Sequence, residues 1–239
     1  MPDGTDRSRN RTWRPGDILR QPLFADPGLR EDLERYCPSA SVRAFRHKAG
    51  IYLQGQPCAE TMCILEGQVV LGRMAEDRDP LTIALLFPGD LLGAWQGLPV
   101  EESVESARAK GSVAIWRAPA KEFRNLLLRQ PALCLRLLEA RSRRQEQLER
   151  RWEALVSRRA EARLADTLRE LSGRFETRCE HGFGLHLRVS QQELADLAGA
   201  SRPVVSTLLN RLRDQGVLGY SRDYVCVRDI EVLERLAGI

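Results

Sequence analysis

Between about Ser41 and Pro119, apolar residues come in short runs broken by turn-forming residues. The runs are Val42-Arg43-Ala44-Phe45, Met62-Cys63-Ile64-Leu65, Val69-Val70-Leu71, Leu81 to Phe87 and Val113-Ala114-Ile115-Trp116. Ala49-Gly50, Gly55-Gln56-Pro57, Glu66-Gly67 and Pro88-Gly89-Asp90 separate them. Short strands at roughly ten-residue spacing with such turns predict a β-sandwich or β-roll. Residues 28–36, just before it, read as a short helix. From Pro131 the period lengthens, and neither glycine nor proline interrupts until Gly173. Leu133, Leu137, Leu138, Leu148, Trp152 and Leu155 form an apolar stripe with a polar gap around Arg141 and Gln145. The spacing from Leu148 through Trp152 to Leu155 is that of a coiled-coil seam. One small β-roll cannot cover so long a stripe, which predicts a dimerisation helix with Leu137, Leu148, Trp152 and Leu155 at the interface. A second helix, Arg159 to Ser172, carries Leu164, Leu168 and Leu171. A glycine-containing link over 173–184 and a short strand, Leu185–Val189, follow.

Residues 190–212, SQQELADLAGASRPVVSTLLNRL, have the grammar of a helix-turn-helix. Ser190 and Glu193 have capping-box spacing, and Leu194, Ala195, Leu197 and Ala198 give one apolar face. Gly199 stands where a left-handed residue must end the first helix, and small Ala195 lets a second helix approach. Ser201 is placed to cap that helix, and Pro203 suits its first turn. Val205, Leu208, Leu209 and Leu212 form its buried face; Arg202, Ser206, Thr207 and Asn210 point outward. Gly216 ends it, and 217–227 read as a β-hairpin wing turning at Ser221-Arg222-Asp223. A last short helix is expected over Ile230–Leu236. Arginine bridges guanine O6 and N7, so Arg202 is the first candidate for base readout, with Ser206, Thr207 and Asn210 beside it. Ser190, Gln191, Ser201 and Arg222 are candidate phosphate contacts, which fix register without reading sequence.

The chain has 239 residues with 43% hydrophobic and 29% charged residues, enough for two modest soluble domains. No apolar run approaches the ~18 residues of a membrane span. The polar N-terminal stretch lacks the apolar centre of a signal peptide and reads as a mobile tail of a cytoplasmic protein. A net charge of +4 is mildly suggestive of a polyanionic partner. The densest basic stretch, from Arg141 to Arg159, reads as the solvated face of a long helix or as a contribution to DNA steering. The six cysteines contain no C-x-x-C pair and read as free thiols. Cys179, His181 and His186 lack a fourth ligand and a standard zinc spacing, so no metal is expected; Cys179 remains a candidate redox switch. No nucleophile, base and acid group together, and no glycine loop cradles phosphate, which argues against an enzyme.

The order of β-roll, long helix and winged helix-turn-helix resembles the Crp/Fnr transcription regulators. Residues 50–57 (GIYLQGQP), Ile64-Leu65-Glu66-Gly67-Gln68-Val69 and residues 87–93 (FPGDLLG) are similar to the family's glycine-bounded strands and the entry to its ligand cassette. Arg163-Leu164-Ala165-Asp166-Thr167-Leu168 is similar to its helix after the hinge, and residues 190–212 are the most specific match. The resemblance implies an α+β fold: a tail over 1–20, a cyclic-nucleotide-binding-like β-roll sensor domain over 21–127, a dimerisation helix over 128–158 and a winged helix-turn-helix over 159–239. It implies a homodimer on double-stranded DNA at a near-palindromic operator, with recognition helices about 34 Å apart. RNA polymerase is the further partner that activation would require.

The effector is where this sequence departs from the family. Members that bind cyclic AMP follow the cassette glycine with a glutamate and later supply an Arg-Ser pair. Here Gly93 is followed by Ala94 and Trp95, and the Arg-Ser positions align with Ser103 and Val104. Small hydroxyls expected on the dimer helix align with Leu148 and Glu149. A cyclic phosphate without its arginine forfeits a charge-assisted contact, so cyclic AMP is disfavoured. The first 36 residues hold no cysteine, and no histidine or cysteine follows Gly93 in residues 94–97; iron–sulfur cluster and haem are disfavoured too. Gly93, Trp95 and Ser103 mark the candidate effector pocket. Trp95 and Trp116 either fill it or stack on an apolar ligand. The family's frequent Glu-x-x-Ser-Arg readout is here Pro203-x-x-Ser206-Thr207, so its half-site does not transfer unchanged. Both constitutive DNA binding and control by a redox signal or small ligand stay open.

Overall fold

A computed structural model describes residues 12–26, 28–75, 78–95, 98–174, 185–221 and 224–238. The chain divides into two units, 1–141 and 142–239. The first begins with two 3-10 turns, Pro15–Arg20 and Pro22–Phe24, and helix α1, Leu29–Tyr36. Strands β1 (Ser41–Phe45), β2 (Gly50–Tyr52), β3 (Glu60–Ala75), β4 (Arg78–Leu86), β5 (Leu91–Gly93) and β6 (Ser106–Pro119) follow. Then come α2 (Ala120–Arg129) and α3 (Pro131–Ser157). The strands form one antiparallel sheet in the order β1-β6-β3-β4, with β2 also on β6 and β5 also on β3.

The period of two along β3 and β6 creates two cores. Met62, Ile64, Val69 and Leu71 of β3 join Val113 and Ile115 of β6, Phe45, Tyr52, Leu86 and Leu92 on one face. Cys63, Leu65, Ala114, Trp116 and Ala118 point the other way. There they pack with Ile18, Phe24, Leu29, Leu33, Phe123, Leu126, Leu133 and Leu137 from the turns and helices. Phe24, Trp116 and Phe123 form a tilted and edge-on aromatic trio with ring centroids 6.2–6.5 Å apart, each such pair adding about 0.5–1.5 kcal/mol beyond its buried area.

Several expectations change here. Trp116 faces the helices, because the even-numbered residues of this part of β6 point away from the strand-lined core; it does not fill a pocket inside the roll. Leu137 is buried in the same helical-face cluster, as is Leu133, so it is covered by its own chain and is not part of a dimer seam. The expected tail over 1–20 is too long, since Ile18 is fully buried within the first turn. Helix α2 was not expected; it falls across the 127/128 boundary, and Phe123 and Leu126 anchor it. The two strands expected on either side of Glu66-Gly67 are one strand, β3. Its register shifts between Ile64 and Gln68 as a bulge, so the glycine bends the strand and does not reverse it.

The second unit contains the rest of α3, then α4 (Ala160–Ser172), β7 (Leu185–Arg188), α5 (Gln191–Ala198), α6 (Arg202–Asp214), β8 (Leu218–Ser221), β9 (Tyr224–Val227) and α7 (Ile230–Ala237). The three strands form an antiparallel sheet in the order β7-β9-β8. Helix α4 packs on α7 and α5, and α5 on α6. Leu164, Leu168, Leu194, Val205, Leu209, Leu218 and Leu233 are fully buried among these elements. Leu138, Leu148, Trp152 and Val156 of α3 are exposed, Trp152 by 74%. Among the described residues, no helix is long and apolar enough to cross a membrane.

Gly67 adopts φ +83°, and a Cβ there would lie 2.2 Å from the Ser112 carbonyl oxygen, a backbone atom that cannot swing aside. Gly67→Ala therefore combines left-handed strain with a clash. It is expected to cost at least about 1–3 kcal/mol, read as a fall of several degrees in the thermal midpoint. An unchanged midpoint would show that the bulge tolerates a side chain.

Candidate DNA-binding site

The site is built from α5, the Gly199 turn and α6. Ser190 caps α5: its Oγ accepts from the Glu193 N–H, and the Ser190 N–H donates to Glu193 Oε2 at 2.7 Å, completing the capping box. Gly199 takes φ +60° and ends α5. The Ala200 N–H then reaches back to the Ala195 carbonyl at 2.9 Å, the wrap that closes a left-handed helix end. Ser201 occupies the N-cap of α6 with extended backbone, yet its hydroxyl makes no capping bond. Ser201 is exposed, and Pro203 lies in the first turn, where no N–H is needed.

Helix α6 buries Val205, Leu209 and Leu212, while Leu208, expected beside them, is only half-buried. Arg202 and Thr207 are exposed; Ser206 and Asn210 are half-buried. The Thr207 hydroxyl donates to the Pro203 carbonyl at 3.1 Å, which leaves it as an acceptor toward any ligand. The candidate phosphate residues are also partly engaged. The Ser190 hydroxyl donates to Glu193 Oε2 at 2.9 Å. The Gln191 side-chain amide donates to the Tyr220 hydroxyl of β8 at 2.8 Å, which ties the start of α5 to the wing strand. Arg222 and Cys179, with His181, lie outside the described residues.

Sequence reasoning missed two cation–aromatic pairs next to this site. The Arg213 guanidinium lies over the Tyr220 ring at 5.9 Å, and that of Arg188 over Tyr224 at 5.5 Å. Their signal was present as arginines and tyrosines on facing strands and the end of α6, but it needs the strand register to be read. Arg211 pairs with Glu161 of α4, so this arginine of the recognition helix serves the fold.

The profile of the Crp-like helix-turn-helix domain matches residues 162–236, and that of the cyclic nucleotide-binding domain matches residues 42–130. The chain belongs to the Crp/Fnr family of transcription regulators. It is 28% identical over 196 residues to the global nitrogen regulator of Nostoc sp., covering 81% of this chain and 88% of that protein. To the cAMP-activated global transcriptional regulator CRP of Salmonella typhimurium it is 26% identical over 198 residues, covering 82% and 93%. Among solved structures, a CRP/FNR-family transcriptional regulator from Thermus thermophilus superposes with TM-score 0.63 at 25% identity, covering 83% of this chain and 99% of that one. Crp/Fnr proteins carry a DNA-binding helix-turn-helix and are regulators, not enzymes.

In the domain matched by the cyclic nucleotide-binding family, the candidate effector residues are held by contacts within the chain. Gly93 has φ +71°, and a Cβ there would lie 2.6 Å from the Glu60 carbonyl oxygen, so only glycine fits. Ala94 is buried and donates its N–H to the Glu60 carbonyl at 2.8 Å. Trp95 is half-buried, with the Arg141 guanidinium 4.1 Å from its ring centroid. Desolvation lowers the pKa of Arg141, and the nearby charge of Glu105 opposes that effect. Glu105 also accepts from the Tyr52 hydroxyl at 3.1 Å; burial, and then this carboxylate, hold that phenol well above its ordinary range. Ser103 is buried, its backbone joined to Gly55 and Gln56 by hydrogen bonds of 2.8 and 2.9 Å. Val104 points outward, 61% exposed.

Among the described cysteines, Cys37, Cys58 and Cys63 are buried, Cys226 is half-buried and Cys134 is exposed. Burial, helped by Glu122, pushes the Cys37 thiol up to about 12 from an ordinary 9.0; burial and then Asp90 push Cys63 higher still. A raised folded-state value means that the neutral thiols contribute stability below the ordinary thiol range, and that it is lost as pH rises through the folded values. Native protein treated with iodoacetamide at pH 8 is therefore expected to label Cys134 and to spare Cys37 and Cys63 until denaturant is added. Rapid native labelling of Cys63, read by mass spectrometry, would contradict this burial.

Proposed function

We propose that this chain is a homodimeric, sequence-specific transcription regulator that binds a near-palindromic operator without cyclic AMP. The observation that carries the DNA reading is the helix-turn-helix itself. It pairs a capped α5 with a left-handed Gly199 and an α6 that buries Val205, Leu209 and Leu212 while Arg202 and Thr207 stay in solvent. Arg202 is the base-reading residue, with Ser206, Thr207 and Asn210 beside it. The uncapped start of α6 at Ser201 leaves backbone N–H groups for a phosphate, with Ser190, Gln191 and Arg222 as further phosphate contacts. Independence from cyclic AMP is supported by Ala94-Trp95 after Gly93 and by Ser103 and Val104 at the Arg-Ser positions. In the cassette, Trp95 already carries a cation, Arg141.

The test is selection of sites from random DNA by purified protein at fixed salt, with and without cyclic AMP. An enriched palindrome, the same in both arms, is the expected result; enrichment only with cyclic AMP would reverse the effector reading. On the selected site, Arg202→Ala is expected to cost about 1–3 kcal/mol and relax one base preference. Equal loss on random DNA would remove Arg202 from base readout.

Leu148, Trp152 and Val156 form the exposed apolar part of α3 that supports dimerisation, in the manner typical of this family. Trp152→Asp is expected to weaken self-association at least tenfold, about 1.4 kcal/mol or more, by sedimentation at several concentrations. A dimer of unchanged strength would place the interface elsewhere.

A further inference from the structure

Arg163, one turn into α4, makes three hydrogen bonds with one guanidinium, all to backbone carbonyls at the ends of other segments. Nε donates to the Ala198 carbonyl at 2.9 Å, Nη2 to the Gly199 carbonyl at 2.9 Å and Nη1 to the Arg158 carbonyl at 2.6 Å. Ala198 is the last residue of α5, Gly199 is its left-handed cap, and Arg158 directly follows the last residue of α3. The final carbonyls of a helix have no partner within it and lie at the negative end of its dipole. A planar cation with several donors in fixed directions meets them in a way that an ammonium cannot.

Other contacts join the same places. Cδ2 of Leu155, from the last turn of α3, lies 2.2 Å from where a Cβ on Gly199 would stand. Leu155 was expected in the dimer seam; the structure sets it against the turn of the helix-turn-helix, still 48% exposed. Arg151 of α3 grips Glu170 of α4 through Nε and Nη2 at 3.2 and 2.9 Å. The Arg158 side chain donates to the Ala237 carbonyl at the end of α7.

We infer that Arg163, together with Leu155, is a positioning device that couples the end of α3 to the turn between α5 and α6 and so sets the aim of the recognition helix. Arg163 is then a specificity-supporting residue that need not touch DNA. Its bonds fix where α5 stops, and α6 begins three residues beyond Gly199. A small shift of the last turn of α3 reaches that turn through two contacts of different kinds, a forked cation and a methyl group packed on glycine. This inference rests on the DNA-binding reading for its consequence, but not for its geometry.

The test compares the wild-type chain with Arg163→Gln and Arg163→Lys in two readouts. The first is amide hydrogen exchange without DNA. Arg163→Gln is expected to speed exchange at residues 199–202 at least tenfold while β8 and β9 keep their protection. Unchanged exchange at the turn, or equal acceleration of the strands, overturns the coupling. The second is the dissociation constant on the selected operator and on random duplex DNA at the same salt. Arg163→Gln is expected to weaken operator binding at least tenfold and random binding less than twofold, with Arg163→Lys between them. A parallel loss on both DNAs, or no loss on either, overturns the positioning role. A wild-type chain that shows no operator preference would sink the DNA reading, and the exchange experiment would still decide the coupling.

A second pair of variants keeps the test independent of arginine. Gly199→Ala is expected to weaken operator binding more in the wild-type background than beside Leu155→Ala, where the added methyl group finds the space vacated. Losses that simply multiply would show that Leu155 and Gly199 act separately.

Discussion

The second unit is organised around one backbone constraint, the reversal of the chain at Gly199. A helix that reverses into the next over a turn this short commonly ends on a left-handed residue, which glycine adopts without a Cβ penalty. Gly199 is that residue here, with φ +60° and the Leu155 methyl group already in the space a side chain would need. The turn creates a second requirement, because the last carbonyls of α5 point out of the helix without partners. The Ala200 N–H and the Arg163 fork satisfy them. Residues in three segments, α3, α4 and the turn, thus meet at one point, and the structural duties of the exposed residues of α6 gather toward its end, where Arg211 pairs with Glu161 and Arg213 lies over Tyr220, leaving Arg202 in solvent at its start. Thr207, between them, bonds the Pro203 carbonyl of its own helix.

The first unit solves a different problem with a different device. A sheet with two apolar faces must bury both. One face of β3 and β6 closes over a core made mainly from strand residues, with Cys58 added from the segment before β3. The other is covered by the turns before α1, by α1 and α2, and by the start of α3. Trp116 is the largest piece of that core, tilted against Phe24 and edge-on to Phe123. It is buried with its indole N–H unpaired, a cost of about 1–3 kcal/mol set against the area and edge-on contacts of three rings. The first two turns of α3 are therefore committed to the first unit through Leu133 and Leu137. The part of the apolar stripe before the polar gap at Arg141 and Gln145 is thus already covered within the first unit.

How much was legible follows from which interactions are local. The helix-turn-helix was readable residue by residue, because capping, left-handed glycine and helical period act within a few positions. The capping box at Ser190 and Glu193 and the stops at Gly199 and Gly216 lie where the sequence put them. The β-roll was readable as a class, but not in its joints. Glu66-Gly67 has the composition of a reversing turn, and only pairing with β6 makes it a bulge. Helix α2 and the 3-10 turns are short, and their anchors, Ile18, Phe24 and Phe123, declare themselves through a core distant in sequence. At the candidate site, the type of each residue on α6 was visible, whereas the engagement of Gln191 with Tyr220 and the placement of Leu155 on Gly199 depend on tertiary contacts.

The seam assignment shows why period alone misleads on a long helix. Leu137, Leu148, Trp152 and Leu155 share a spacing, and spacing says only that a face is apolar, not what covers it. Leu137 is covered by the helical-face core of the first unit and Leu155 touches the helix-turn-helix turn with half its surface still exposed, while Leu148 and Trp152 stay exposed. An apolar surface as large as a tryptophan left 74% exposed is expensive unless something covers it. Exposed Leu148 and Trp152 lie between Leu137 and Leu155 along α3, and exposed Val156 directly follows Leu155. The last turn of α3 ends against the turn of the helix-turn-helix, through Leu155 on Gly199 and through the Arg158 carbonyl that Arg163 holds. A single apolar spacing along one helix therefore carries residues of unlike environment, and only the three-dimensional neighbours of each residue separate them.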